Sequence, residues 1–200
     1  MHGSSLPRPR IRILEEKLLS DDWFVLKKTT FEFQRRDGSW QRQSRETYDR
    51  GNGAAILLFN AERGTVVLTR QFRFPVFVNG CADGQLVEAC AGLLDGDDPH
   101  SCIRREAEEE TGFRIHSPRK IFEAYMSPGS VTEKLHFFVA EYEASDRVSA
   151  GGGNFMEGED IEVIEHTLDH ALEMIASGEI EDGKTIMLLQ HAALHGLDGL

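Results

Sequence analysis

One helix in this chain carries its charge backwards, and that feature constrains the chain more than any other. The residues Asp98-Pro99-His100-Ser101-Cys102-Ile103-Arg104-Arg105-Glu106-Ala107-Glu108-Glu109-Glu110-Thr111-Gly112 predict a helix over 98–111. Asp98 suits the N-cap and Pro99 the first helical position. Gly112 is placed for the left-handed residue that ends a helix. A helix C-terminus carries partial negative charge, so acids are disfavoured there. Glu106, Glu108, Glu109 and Glu110 nevertheless crowd the last turns, with Arg104 and Arg105 ahead of them. That order is the poorer one for pairs four residues apart, although Arg104–Glu108 and Arg105–Glu109 pairs would soften the repulsion. Glu106, Glu109 and Glu110 stand at i, i+3 and i+4 and share one face. A solvated acidic face is the ordinary reading of such a run. A one-faced carboxylate cluster fed by a glycine-containing loop is also what a hard divalent cation requires.

Composition narrows the classes. The 200 residues fit one domain with a small appendage. A net charge of −12 disfavours non-specific nucleic-acid binding. It does not exclude a small anionic substrate, because a metal ion reverses the local sign. No apolar run approaches a membrane span, and Met1 to Arg10 lacks the apolar core of a signal peptide. The expectation is a cytoplasmic protein with no membrane partner. The three cysteines, Cys81, Cys90 and Cys102, make no metal-ligand spacing, and Cys90 and Cys102 read as small core residues.

Along the chain, 1–50 reads as an N-terminal β-rich region and 51–200 as the main domain. Residues 11–19 fit either a short helix or a strand. Trp23 to Phe33 is rich in aromatic and β-branched residues, and Asp37-Gly38 marks a hairpin turn. The returning arm, Trp40 to Tyr48, is polar. Such a ribbon has little core of its own and calls for another surface, such as a second subunit. Residues 54–59 and 65–74 read as central strands. Residues 76–84 read as loop, and 85–90, 120–125, 135–142 and 161–166 as further strands. A glycine-rich loop spans 145–158, and helices near 168–177 and 183–196 close the chain. The mixture predicts a mixed sheet with helices on its faces.

Arg105-Glu106-Ala107-Glu108-Glu109-Glu110-Thr111-Gly112-Phe113 resembles the second half of the signature of the Nudix hydrolases, with Gly92 as its opening glycine. The isolated glutamate of that signature is replaced by Asp97 or Asp98, and the loop is one residue short. Further segments are similar to the branch of the family that hydrolyses GDP-mannose. They include Tyr48-Asp49-Arg50-Gly51-Asn52-Gly53, Gln71-Phe72-Arg73, Cys90-Ala91-Gly92-Leu93-Leu94-Asp95 and Asp182-Gly183-Lys184-Thr185. The resemblance implies an α/β fold: a Nudix-type α/β/α sandwich with a mixed central sheet, preceded by a small antiparallel β-hairpin region that serves dimerisation. It implies magnesium-dependent cleavage of a nucleotide sugar, with manganese able to substitute, in a homodimer. ADP-ribose or another nucleoside-diphosphate sugar is the alternative substrate. A Nudix module that binds nucleotide without turnover is the alternative class.

The same resemblance implies roles. Glu106, Glu109 and Glu110 supply metal ligands, joined by the Ala91 carbonyl and Glu159. Glu159, in the loop after the glycine triplet Gly151-Gly152-Gly153, is also the general base, and Glu109 and Arg105 complete the catalytic set. Arg105 holds the helix carboxylates in place. The glycines would let that loop close on a substrate. Arg73, at the end of a central strand, suits a phosphate contact. Arg45, Glu46, Glu133 and Lys184 match binding positions of the family, and Gly92 and Leu93 join them. Trp23, taken alone, reads as core packing; the resemblance makes it a stacking surface for the base.

Overall fold

The computed structural model describes residues 10–200; the polar leader, residues 1–9, lies outside the described residues. The chain divides into two compact units. One runs to Arg50 and takes in Ser127–Glu133; the other is Gly51–Met126 with Lys134–Leu200.

The first unit is a three-stranded antiparallel sheet of β1 (Ile11–Asp21), β2 (Val25–Gln34) and β3 (Trp40–Asp49). The expected hairpin is β2–β3, turned at Asp37-Gly38. Gly38 has φ +86, and the Asp37 side chain accepts a hydrogen bond from the Ser39 N–H at 2.9 Å. The segment 11–19 resolves as a strand, so the hairpin gains a third member. β1 is exposed along its whole length, which is why its pattern has neither a helical nor a two-residue period. Trp40 finds a partner in the Arg12 guanidinium, 3.7 Å from its ring centre. The Tyr48 N–H donates to the Ser130 carbonyl at 2.8 Å, tying 127–133 into this unit.

The second unit is built on β4 (Gly53–Asn60), which is buried along its length. A strand with two buried faces needs a layer on each side, and its alternating side chains show both. Ala55, Leu57 and Phe59 pack with Ala171 and Met174 of α3 (Leu168–Ser177) and Leu188, Leu189 and Ala192 of α4 (Gly183–His195). Ala54, Ile56 and Leu58 pack with Cys102 and Ile103 of α2 (Pro99–Glu106). This is an α/β/α sandwich about one sheet. The sheet has seven strands, ordered β10-β5-β4-β9-β8, with β6 beside β5 and β7 beside β4. The remaining strands are β5 (Thr65–Phe72), β6 (Gln85–Glu88), β7 (Ala91–Leu93), β8 (Arg119–Tyr125), β9 (Lys134–Glu141) and β10 (Glu162–Thr167). β4 runs parallel to β9, and the other pairings are antiparallel, so the sheet is mixed.

Two local expectations need correction. The region read as loop from 76 begins inside a single helical turn, α1 (Phe74–Val78), for which Pro75 supplies a pre-set φ. The run 85–90 is not one strand: β6 ends at Glu88, and β7 restarts at Ala91 against β4 instead of β5. No helix among the described residues is long and apolar enough to cross a membrane.

Candidate active site

Asp98 caps α2 as its position predicts, its carboxylate accepting from the His100 and Ser101 N–H groups at 3.0 and 3.1 Å. Asp97 sits 3.9 Å from Arg105. Of the two acids, Asp98 is thus occupied in capping and Asp97 lies beside an arginine.

Past Glu106 the helix widens into a π-type turn, Ala107–Thr111, which ends at Gly112 with φ +79. Such turns recur at functional sites because they redirect side chains without breaking the helix. Here the three acids are sorted by exposure. Glu110 is buried, at 2% exposed. Glu106 is largely covered and Glu109 half exposed. Arg105 binds both Glu106 (2.9 Å) and Glu109 (3.3 Å). Glu108 pairs with Arg114 through two 2.9 Å hydrogen bonds rather than with Arg104.

The opening loop is fitted to this helix. The Ala91 N–H donates to Glu110 Oε2 at 3.3 Å. At Gly92 a Cβ would lie 2.5 Å from Glu106 Cγ and nearer still to its Cδ and Oε1. Glu106 therefore lies across the backbone of residue 92, and only glycine leaves it that room. Leu93 follows on β7, its carbonyl accepting from the Cys102 thiol at 3.2 Å.

Burial pushes the Glu110 carboxyl up to about 8; the Cys90 thiol and the Ala91 N–H pull against that, while Glu106 and Glu159 add to it. Burial also raises Glu106, partly offset by Arg105 and reinforced by Glu109 and Glu159. The helix acids and Glu159 thus feel one another's charge.

That repulsion, and the all-oxygen donor set, fit a hard divalent cation. The carboxylates are not a ready-made cage: no three His, Cys, Asp or Glu side chains among the described residues already form a coordinating group. Arg105 draws Glu106 and Glu109, while Glu110 turns to the Ala91 N–H, so side-chain rotation would have to bring the donors together. The residues suit the ion in type and charge.

The glycine triplet is a clasp rather than a free hinge. The Gly152 N–H donates to the Glu110 carbonyl at 2.9 Å and the Gly153 N–H to the Glu109 carbonyl at 3.0 Å. These bonds satisfy carbonyls that a helix end leaves open. They also deliver Glu159, whose Oε2 accepts from the Asn154 N–H at 2.7 Å. A Cβ on Gly153 would lie 2.5 Å from that same oxygen.

A second cluster in this unit was not anticipated. Glu88, at the end of β6, is only 3% exposed. Its Oε2 takes a 2.6 Å hydrogen bond from Arg73 Nε, and its Oε1 pairs with Lys184 Nζ. Lys184 also stands 3.1 Å from Asp182, the N-cap of α4. Burial is the largest influence on Arg73 and would lower it, but Glu88, with Glu110 and Asp182, together outweigh it and leave the guanidinium raised. The signal for Glu88 was in the sequence: an acid inside the apolar run Leu86-Val87-Glu88-Ala89-Cys90 needs buried cations.

The remaining candidates belong to the first unit. Trp23 is 82% exposed in the β1–β2 turn, so core packing is excluded for it. Arg45 and Glu46 are exposed on β3, opposite Thr29 and Lys28. Glu133 is 3.3 Å from Arg50.

A family model described as NUDIX domain matches residues 49–189, and one described as GDP-mannose pyrophosphatase NudK N-terminal domain matches 10–48. The chain is 58% identical over 186 residues to the GDP-mannose pyrophosphatase of Pectobacterium atrosepticum, covering 93% of this chain and 95% of that one. It is 56% identical over 182 residues to the protein of the same name from Citrobacter koseri, covering 91% and 94%. A solved structure described as an ADP compounds hydrolase superposes with a TM-score of 0.69 at 17% identity, covering 96% of this chain and 98% of that one. At that identity the likeness shows the fold.

Proposed function

The chain belongs to the Nudix family, and we propose that it hydrolyses GDP-mannose to GMP and mannose 1-phosphate. Nudix hydrolases generally use divalent metal ions, and we take the ion here to be magnesium, with manganese able to replace it. The observation that carries the chemistry is the fitted pair of Gly92 and Glu106 beside the buried Glu110. The substrate rests on the name that relatives 55–58% identical bear.

In this reading Glu106, Glu109 and Glu110, with the Ala91 carbonyl and Glu159, would hold magnesium, which when bound neutralises the pyrophosphate and acidifies the attacking water. Arg105 keeps Glu106 and Glu109 on the helix side of the site. Glu159 also serves as the base, its carboxylate oriented by the hydrogen bond that Oε2 accepts from the Asn154 N–H. Arg73 binds a phosphate, and Lys184 adds positive charge beside it. The Gly92-Leu93 backbone contributes further contacts. Trp23 offers an exposed ring for the base, and Arg45, Glu46 and Glu133 offer polar contacts to the nucleotide sugar.

We further propose a homodimer. The exposed Ile11, Ile13 and Leu18 side chains of β1 supply apolar surface for a partner. The expected compartment is the cytoplasm, where three unpaired cysteines remain reduced.

The test is a substrate panel: GDP-mannose, GDP-glucose, ADP-ribose, ADP-glucose and UDP-glucose with magnesium, with nucleotide products separated by chromatography. GMP released fastest from GDP-mannose supports the reading. AMP from ADP-ribose at a higher rate replaces the substrate and keeps the chemistry. No nucleotide from any of them favours a binding module.

A further inference from the structure

We propose that Glu88 is a positioning residue for substrate phosphate: by holding Arg73 through Nε it aims the rest of the guanidinium at the pyrophosphate. The inference rests on the proposed reading of Arg73 as a phosphate contact.

Three segments distant in sequence converge on this carboxylate. Arg73 follows β5, Glu88 ends β6, and Lys184 lies in the first turn of α4. Each of its two oxygens takes a different cation, Arg73 on Oε2 and Lys184 on Oε1. The backbone around Glu88 is fixed independently. Its carbonyl accepts from Thr69 Oγ1 at 3.2 Å, and the next N–H donates to Thr185 Oγ1 at 2.6 Å. Thr185 Oγ1 in turn donates to Asp182 at 2.6 Å. The carboxylate therefore sits on a rigid frame.

The two cations differ in what they can do next. The Lys184 side chain is 12% exposed and is shared between Glu88 and Asp182. Arg73 is 40% exposed and commits only its Nε to Glu88. A guanidinium held by Nε keeps its two terminal nitrogens for a second acceptor, and those nitrogens match phosphate oxygens in a bidentate fork. A long side chain fixed in this way has less freedom to lose when the ligand arrives. Lys184 and Asp182 balance the charge, so Glu88 can hold Arg73 without leaving a buried charge unpaired.

The test is a double-mutant cycle of Glu88→Gln and Arg73→Gln, read as KM and kcat for GDP-mannose, with melting temperature in parallel. The expected result is a KM raised about tenfold or more by Glu88→Gln, with kcat changed by less than about threefold. The double variant is expected to have the KM of Arg73→Gln alone. KM effects that multiply, or a Glu88→Gln defect confined to kcat and melting temperature, overturn the proposal. If residue 88 tolerates no change, Arg73→Lys decides. It keeps the charge but lacks the fork, so its KM is expected near that of Arg73→Gln, and a wild-type KM overturns the proposal. Wild-type GMP release is measured first. If GDP-mannose is not a substrate, the functional reading fails separately, and the same cycle is read as GDP affinity by calorimetry. Coupling there sustains the role of Glu88; additivity, or no binding of GDP, overturns it.

Discussion

The Glu106 side chain occupies the space that a side chain at Gly92 would need. A Cβ there would stand 2.5 Å from Glu106 Cγ. The clash is with the movable end of a side chain, and Gly92 needs no positive φ. Gly92→Ala is therefore expected to fold and to displace the carboxylate instead. Displacing a catalytic group by about 1 Å costs about 10²-fold in rate. Steady-state kinetics and circular dichroism check this. A folded Gly92→Ala with wild-type kcat would separate Glu106 from the chemistry.

Gly151 makes the opposite prediction. A Cβ there would meet backbone, 2.7 Å from the Thr111 carbonyl carbon, at φ +72. Backbone cannot swing aside, so Gly151→Ala is expected to destabilise the fold by about 1–3 kcal/mol. Chemical denaturation measures it. Unchanged stability would mean the clasp between the glycine triplet and the acid helix is not formed in solution.

The raised Glu110 carboxyl gives stability a pH dependence when divalent metal is removed with EDTA. Its folded value, about 8, lies above its ordinary value of 4.5. Its contribution is then fully present below about 4.5 and is lost as pH rises through about 8. The slope is on the order of 1 kcal/mol per pH unit within that window. Glu110→Gln is expected to flatten this part of the melting-temperature profile. An unchanged profile would mean Glu110 ionises normally in the folded protein.

Trp23 offers a prediction in which stability and binding part company. An 82% exposed ring contributes little to a core. Trp23→Ala is expected to leave stability within about 0.5 kcal/mol and to raise KM for GDP-mannose. A loss of stability with unchanged KM would assign the ring to packing.

The range of the interactions decides how much of this fold and site is legible in the sequence. The acid helix was legible because its evidence is local: Asp98 and Pro99 at the start, Gly112 at the end, and glutamates at the wrong pole. A mixed sheet with helices on its faces was legible from unbroken apolar runs such as Ala54 to Phe59, whereas the α/β/α sandwich followed from the family resemblance. The π-type turn was not, because Ala107–Thr111 has the composition of an ordinary helix. β7 was hidden because the switch from pairing with β5 to pairing with β4 is a property of the sheet. Arg73 and Lys184 were read as substrate contacts, but their joint hold on Glu88 spans separations of 15 and 96 residues. The glycine triplet looked like a hinge because glycine composition is the same for a hinge and for a clasp.

In the proposed function the carboxylate helix directs cleavage to the bond between the two phosphates. The most direct measurement is the identity of the products from GDP-mannose, followed by phosphorus NMR with magnesium and again with EDTA. GMP and mannose 1-phosphate are expected in equal amounts, formed only when divalent metal is available. GDP with free mannose, or turnover that survives EDTA, would contradict it.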